Sequence, residues 1–448
     1  MVHYFRTHFD FTCHYIDGII DEWVEFAISK KVEILELDFD TTDKNHDNMF
    51  NYDFAYNFDF TRLKKLYLNK VNMRESCQFV VSVYLFGFDL ESFTYIGRPI
   101  DLRLTRLPKL KNVAMSQELV GLNNNAFHQI ASCASSLQAL SFKIDRPKQS
   151  AKLDSIPRLP NIKKLTLTIV ARADNSLLEF ASMVNACPNL ETFIIECQFV
   201  VSVYLFGFDL ESFTYIGRPI DLRLTRLPKL KNVAMSQELV GLNNNAFHQI
   251  ASCASSLQAL SFKIDRPKQS AKLDSIPRLP NIKKLTLTIV ARADNSLLEF
   301  ASMVNACPNL ETFIIESLPN LETFIIEVLK LSPINDLLNR IITGGRVTMV
   351  SPIKRRRKAT RIAADHRHAH LKLFQIRGYY GRISDLELAA YMIDNADALK
   401  KIVIDPCCQV QKGIKPVKDF SENERAARSY AKRQLQPILP QGVELVVL

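Results

Sequence analysis

Apolar residues return along this chain at the first, fourth and sixth places of short windows. Such windows begin at Val32 (VEILEL), Leu63 (LKKLYL), Leu90 (LESFTY), Leu110 (LKNVAM), Leu137 (LQALSF), Ile162 (IKKLTL) and Leu190 (LETFII). Side chains alternate across an extended chain, so places four and six fall on one side of a short strand. Successive windows start 20 to 31 residues apart. Most of these steps fall within the roughly 20–29 residues of leucine-rich repeats. One such unit cannot bury its apolar side alone, and neighbouring units must stack.

The segments between windows predict the other layer. Asn125 to Cys133 (NAFHQIASC) and the stretch LLEFASMVNAC after Ser176 have the spacing of short helices, the second with Ser176 as its cap. Ahead of the first window, Tyr15 to Ser29 places Ile16, Ile19, Ile20, Trp23 and Phe26 or Ala27 on one helical stripe, with Trp23 packing the helix onto the first repeat. Capping boxes at Ser384 with Glu387 and at Ser421 with Glu424 predict two later helices. The expected fold is therefore α/β: an irregular leucine-rich-repeat solenoid, a curved horseshoe of short parallel strands with helices and turns outside. It is irregular because the ninth place of the repeat, an asparagine in standard repeats, holds Val71, Glu118, Asp145, Val170 or Gln198.

A second, larger period lies over the first. Residues 77–196 recur without one change as 197–316, and PNLETFIIE appears again at 319–327. Identity that runs through loops as well as core marks the copying as recent and says nothing about function. Five regions follow: an N-terminal cap helix with the first repeats (1–76), two identical repeat blocks (77–196 and 197–316), the short echo with a basic linker (317–370), and C-terminal repeats with a terminal helix and strand (371–448). The step from Leu190 to Leu210 keeps the rhythm across the first junction. The step from Leu310 to Leu321 is too short for a unit, which predicts a local fault near 314–330 with one of the two LETFIIE strings outside the ladder.

Charge sharpens this picture. The formal net charge of +10 is carried by residues 328–448, which hold +11, whereas residues 1–76 hold −5. Its densest point is Lys354, Arg355, Arg356, Arg357 and Lys358, which suits a nuclear-import signal or phosphate contacts and equally a solvated linker. No aromatic residue interleaves this run, so nucleic acid is not the expected partner. The longest apolar run, Phe79 to Phe88, is about half of a membrane span, and no membrane association is expected. The nine cysteines follow no disulfide or zinc spacing. They fit reduced thiols, and with no secretory signal in view the expected location is nucleus or cytoplasm.

The string RGYYGRISDLELAAYMIDNADALKKIVIDPC (Arg377 to Cys407), with the later SENERAARSYAKRQL and the final VELVVL, resembles the C-terminal region of plant F-box/leucine-rich-repeat proteins of the FBD-related type. The segment HYIDGIIDEWVEFAISKKVEILELDFD (His14 to Asp40) resembles the stretch that follows the F-box in that family. In such proteins the F-box docks on a Skp1-type adaptor of a cullin ubiquitin ligase, and the repeats select the protein to be ubiquitinated. The resemblance implies substrate-recognition architecture with a protein partner. Too little chain precedes His14 to hold an F-box, so adaptor docking is not expected of this sequence.

No GxSxG elbow, Walker loop, HExxH or paired-cysteine zinc motif occurs, and neither catalysis nor a cofactor is expected. His366, His368 and His370 alternate and would share one face of a strand, but they lack the partner pattern of a metal site, and no metal is expected. A ligand surface would lie on the outward strand positions of the concave face: Lys65, Tyr67, Asn69, Thr94, Asn112, Ser116, Ser141, Lys143, Lys164, Thr166, Thr168, Thr192 and Glu196. Two other readings stay open, a nuclear nucleic-acid-associated protein acting through the basic patch, and a non-functional product of a duplicated or truncated gene.

Overall fold

The computed structural model describes residues 2–10, 17–40, 62–71, 81–86, 89–97, 100–117, 130, 135–144, 156–170, 181–197, 202–217, 221–237, 244–251, 253, 255–265, 276–291, 297–319, 367–406 and 418–448. Every window read from the sequence becomes a strand that starts at the window's third residue. These strands are β2 (Ile34–Asp40), β3 (Lys65–Val71), β5 (Ser92–Gly97), β7 (Asn112–Gln117), β8 (Ala139–Ile144), β9 (Lys164–Ile169) and β10 (Thr192–Cys197). The chain divides into two compact units, Met1–Ile220 with Arg226–Lys229, and Asp221–Thr225 with Leu230–Leu448.

In the first unit these strands form a parallel sheet, bounded by β1 (Tyr4–Asp10) beside β2 and by β12 (Ser212–Gly217) beside β10. The register joins like places of successive windows, so that Leu66 stands opposite Phe93, Phe93 opposite Val113, and Leu140 opposite Leu165. Residues at places one, four and six stack into three buried columns; Leu63, Leu66 and Leu68 belong to them, as do Ile162, Leu165 and Leu167. Each such side chain contributes about 1.5–3 kcal/mol of burial, which is why the apolar spacing decides the fold. The ladder slips once, between Leu68 and Val71 where β3 meets β5.

The second layer contains strands in addition to the helices and turns expected there. Helix α1 (Asp17–Ser29) packs with Ile20, Val24 and Ala27 buried, and α2 (Ala181–Ala186) with Met183, Val184 and Ala186. After β3 and β5, however, the connections contain strands: β4 (Val81–Phe86) and β6 (Ile100–Thr105) pair in parallel as a separate two-stranded sheet with Leu85 and Leu104 buried. Strand β11 (Ser202–Phe206) completes the unit.

The missing ninth-place asparagine has a substitute one residue before the window. Asn161 Nδ2 donates to the Ser135 carbonyl at 3.0 Å, and Asn189 Nδ2 to the Pro160 carbonyl at 2.9 Å, so each turn is tied to the one before. Asn281 and Asn309 repeat these bonds in the second unit at 2.9 and 2.8 Å.

The second unit contains β13 (Asp221–Thr225), with helix α3 (Asn244–Ala251) against it, and a parallel sheet of β14 (Asn232–Gln237), β15 (Ala259–Asp265), β16 (Lys284–Ala291), β17 (Thr312–Pro319), β18 (Leu373–Arg377), β19 (Lys401–Asp405) and β20 (Glu444–Val447). A 3-10 turn at Leu298–Phe300 leads into the short helix α4 (Ala301–Asn305). The cap predicted at Ser176 lies outside the described residues. The first LETFIIE string forms β17, which runs on to Pro319 without a fault and pairs directly with β18. The second string lies outside the described residues.

The expected caps of the last two helices are corrected. Helix α5 (Ile383–Asn395) starts after Arg382, not after Ser384, because the Asp385 carboxylate accepts the Arg382 backbone N–H at 3.1 Å and its guanidinium Nε at 3.1 Å. Helix α6 (Lys418–Leu435) contains Ser421 inside it. A Cβ at Gly381 would lie 2.8 Å from that of Tyr430, so glycine is what lets α6 approach this loop, where Tyr379 Oη donates to Gln434 Oε1 at 2.6 Å.

Candidate functional site

The thirteen positions expected to form a ligand surface stand on β3, β5, β7, β8, β9 and β10, at strand places that alternate with the buried columns. They therefore share the side of the sheet opposite the packed layer. Twelve are exposed or half-buried; Ser116 is recessed to 9% exposure. The central row of this face, Thr94, Ala114, Ser141, Thr166, Ile194 and Thr214, is small or β-branched and uncharged. Beside it runs a polar row in which Lys143, Thr168 and Glu196 are in register, with Thr168 Oγ1 donating to Glu196 Oε2 at 3.2 Å.

The second unit presents the same rows from the copied sequence. Lys263, Thr288 and Glu316 are in register, Thr288 Oγ1 donates to Glu316 at 3.5 Å, and the row continues through Arg377 and Asp405. Glu316 Oε1 and Arg377 Nε are buried atoms without a hydrogen-bond partner among the described residues. Buried polar atoms are rarely left so, and both belong to this open face.

The N-terminal end of the face carries a charged cluster that sequence reasoning missed. On β2, Glu36 and Asp38 project between β1 and β3. Arg6 reaches both, with Nε 3.4 Å from Glu36 Oε1 and Nη2 3.0 Å from Asp38 Oδ2, and His8 Nδ1 lies 3.5 Å from the same Asp38 oxygen. Asn69 Nδ2 donates to Glu36 at 2.9 Å, and the Tyr4 hydroxyl donates to Glu36 as well, which pushes the tyrosine above its ordinary pKa. Glu33 sits between His3, at 2.7 Å, and Lys64, at 2.8 Å, and the lysine hydrogen bond holds its carboxyl below the usual range. The signal was present as alternation: basic residues at 3, 6 and 8 in HYFRTHFD, acidic ones at 33, 36 and 38 in the next strand.

Trp23 is a further correction. It is 43% exposed instead of buried against the first repeat, and it stacks on Phe5 of β1 at 5.9 Å, with Phe26 edge-on to it at 6.0 Å. The buried stripe of α1 instead runs through Ile20, Val24 and Ala27.

The remaining candidates do not converge. His368 and His370 lie in a turn ahead of β18, the first buried and the second exposed, so they do not share a strand face; His366 lies outside the described residues. The basic patch Lys354 to Lys358 also lies outside them. Among the described residues no cluster of three metal-ligating side chains occurs, and no helix is long and apolar enough to cross a membrane. Burial pushes the Cys187 and Cys307 thiols up to about 12 and Cys253 to about 11, which leaves them protonated and poor nucleophiles at neutral pH.

Parallel strands one repeat apart, joined by helices, turns and short strands and carrying the L-x-x-L-x-L core, define an α/β leucine-rich-repeat protein. Residues 195–448 match the family described as At1g61320/AtMIF1, LRR domain, and the chain belongs to that family. The match covers the leucine-rich-repeat part of the expected resemblance and does not extend to an F-box or FBD assignment. A comparison with curated proteins finds no match.

Proposed function

We propose that this chain is a non-enzymatic scaffold whose open strand face binds another protein. The observation that supports this reading is the face itself: an uncharged central row flanked by a Lys-Thr-Glu row, presented once in each unit. A continuous strand surface of small residues spread over many repeats accommodates a broad protein partner better than a small molecule, which needs an enclosing pocket. The resemblance of His14 to Asp40 and Arg377 to Cys407 to F-box/leucine-rich-repeat proteins supports a narrower form, in which the bound partner is a protein destined for ubiquitination in the nucleus or cytoplasm.

Photo-crosslinking tests both levels. A benzoylphenylalanine at Thr166 or Thr286 should capture a defined protein in cells, whereas the same probe at Arg158, outside the strands, should not. Equal capture from both positions would overturn the assignment of the face. A partner whose abundance and ubiquitination are unchanged when the chain is removed would overturn the ligase reading alone.

A further inference from the structure

Strand β1 ends the sheet of the first unit: among the described residues it pairs with β2 on one edge and with nothing on the other. The His3 carbonyl accepts the backbone N–H groups of Glu33 and Ile34, at 3.2 and 3.1 Å. Backbone groups of alternate residues in a parallel strand face opposite edges, so those of Tyr4, Arg6 and His8 point away from β2. An open edge of this kind is a template for an added strand.

The side chains around that edge state what would be added. On the helix side lies an aromatic ledge in which Phe5 stacks on Trp23 and packs at a tilt against Phe26, with Trp23 and Phe26 each 43% exposed. Exposed tryptophan and phenylalanine beside a strand edge have the composition of interface anchors. On the opposite side of the strand lie Arg6 and His8, and His3 stands just ahead of it, with half or more of each side chain exposed. β2 already answers this pattern on the occupied edge, setting Glu33, Glu36 and Asp38 against those three residues while Leu35 and Leu37 face the core.

From this juxtaposition we propose that the free edge of β1 is a strand-addition site for an extended acidic segment, with carboxylates facing His3, Arg6 and His8 and apolar side chains resting on Phe5, Trp23 and Phe26. The main-chain bonds to Tyr4, Arg6 and His8 hold the segment, and the charge row selects it. This edge adjoins the charged N-terminal end of the open strand face, but the reading of that face rests on the rows from β3 to β10, and failure of strand addition would leave it untouched.

Trp23 is the only tryptophan in the chain, so its fluorescence reports this site directly. The probe is a synthetic peptide with the sequence of β2 and its approach, VEILELDFD, titrated into the full chain. The expected result is a saturable blue shift of Trp23 with reduced acrylamide quenching. A peptide with lysine at each acidic place should give neither. His8→Pro removes an outward N–H from an edge strand that tolerates proline there. It should weaken the peptide about tenfold, the loss expected when a main-chain hydrogen bond is removed and its partner left unpaired. His8→Ala should bind within about twofold of the parent, because it keeps that hydrogen bond and loses only one exposed charge contact. If His8→Pro does not fold, Tyr4→Pro at the start of the strand makes the same test. Equal binding by the proline and alanine variants would overturn strand addition, and equal binding of the lysine peptide would overturn the acidic assignment. A blue shift that follows protein concentration without peptide, with a dimer in sedimentation, would replace the acidic segment by a second copy of the chain.

Discussion

The two identical blocks, 77–196 and 197–316, place one sequence in two settings, and the strands they form are not identical. β9 stops at Ile169, and Val170 lies beyond it. Its counterpart β16 runs on through Val290 to Ala291, because those residues pair with Leu318 and Pro319 of an extended β17. β15 lengthens in turn, with Asp265 opposite Val290. The cause is the chain after each block's last glutamate: Cys197 and Gln198 follow the first, Ser317, Leu318 and Pro319 the second. Where a strand begins is written in its own L-x-x-L-x-L window. Where it ends depends on the neighbour.

If the windows hold each block in the same way, deep core deletions should cost the same in both. Phe142 and Phe262 occupy one position of the copied sequence and are both buried. Phe142→Ala and Phe262→Ala should each destabilise by about 3–5 kcal/mol in urea unfolding. A difference of more than about 1.5 kcal/mol between them, the size of an aromatic pair contribution, would show that context reaches the core as well as the strand ends.

A smaller effect tests the junction between the blocks. Gly217 of β12 stands opposite Cys197, the first residue of the second block, and a Cβ built on it would lie 1.8 Å from the Cys197 carbonyl oxygen. Backbone must move to relieve that contact. Gly217→Ala should therefore cost about 1–3 kcal/mol and lower the protection of the Cys197 amide in hydrogen exchange. Unchanged stability would mean that the duplication junction is loosely held.

Most of the ladder was legible because its determinants are local: the window columns of Leu63, Leu66 and Leu68 and their equivalents require only alternation and a repeat length. The features that escaped have determinants elsewhere in the chain. β1 has no window, and its strand is fixed by pairing with β2 and by the Arg6 contacts to Glu36 and Asp38. Trp23 fits the apolar stripe of α1, yet Phe5, eighteen positions earlier, draws it to the surface side. The α5 cap went to Arg382 because Asp385 turns back to it, a choice that the Ser384 and Glu387 pattern does not encode. The candidate face was legible as a list of outward positions, while its charged end at Glu36 and Asp38 required knowing that β1 exists.

The smallest expected effect separates the two blocks by charge alone. Glu191 bonds Lys163 at 2.8 Å, and the next strand brings up Glu211 beside it. Its copy Glu311 lies between two lysines, Lys283 at 3.7 Å and Lys372 at 3.2 Å, and the hydrogen bond from Lys372 holds the Glu311 carboxyl below the usual range. Its folded pKa lies below its unfolded one, so its contribution to stability is complete above the ordinary carboxylate range and disappears as pH falls through the depressed folded value. Lys372→Gln should move the Glu311 carboxyl titration, followed by carbon-detected NMR, upward toward the ordinary value. It should leave melting at neutral pH nearly unchanged, since solvent screens an exposed pair and its contribution to stability is small. A Glu311 titration that stays put in the variant would show that Lys372 does not set it, and the electrostatic distinction between the two blocks would be lost.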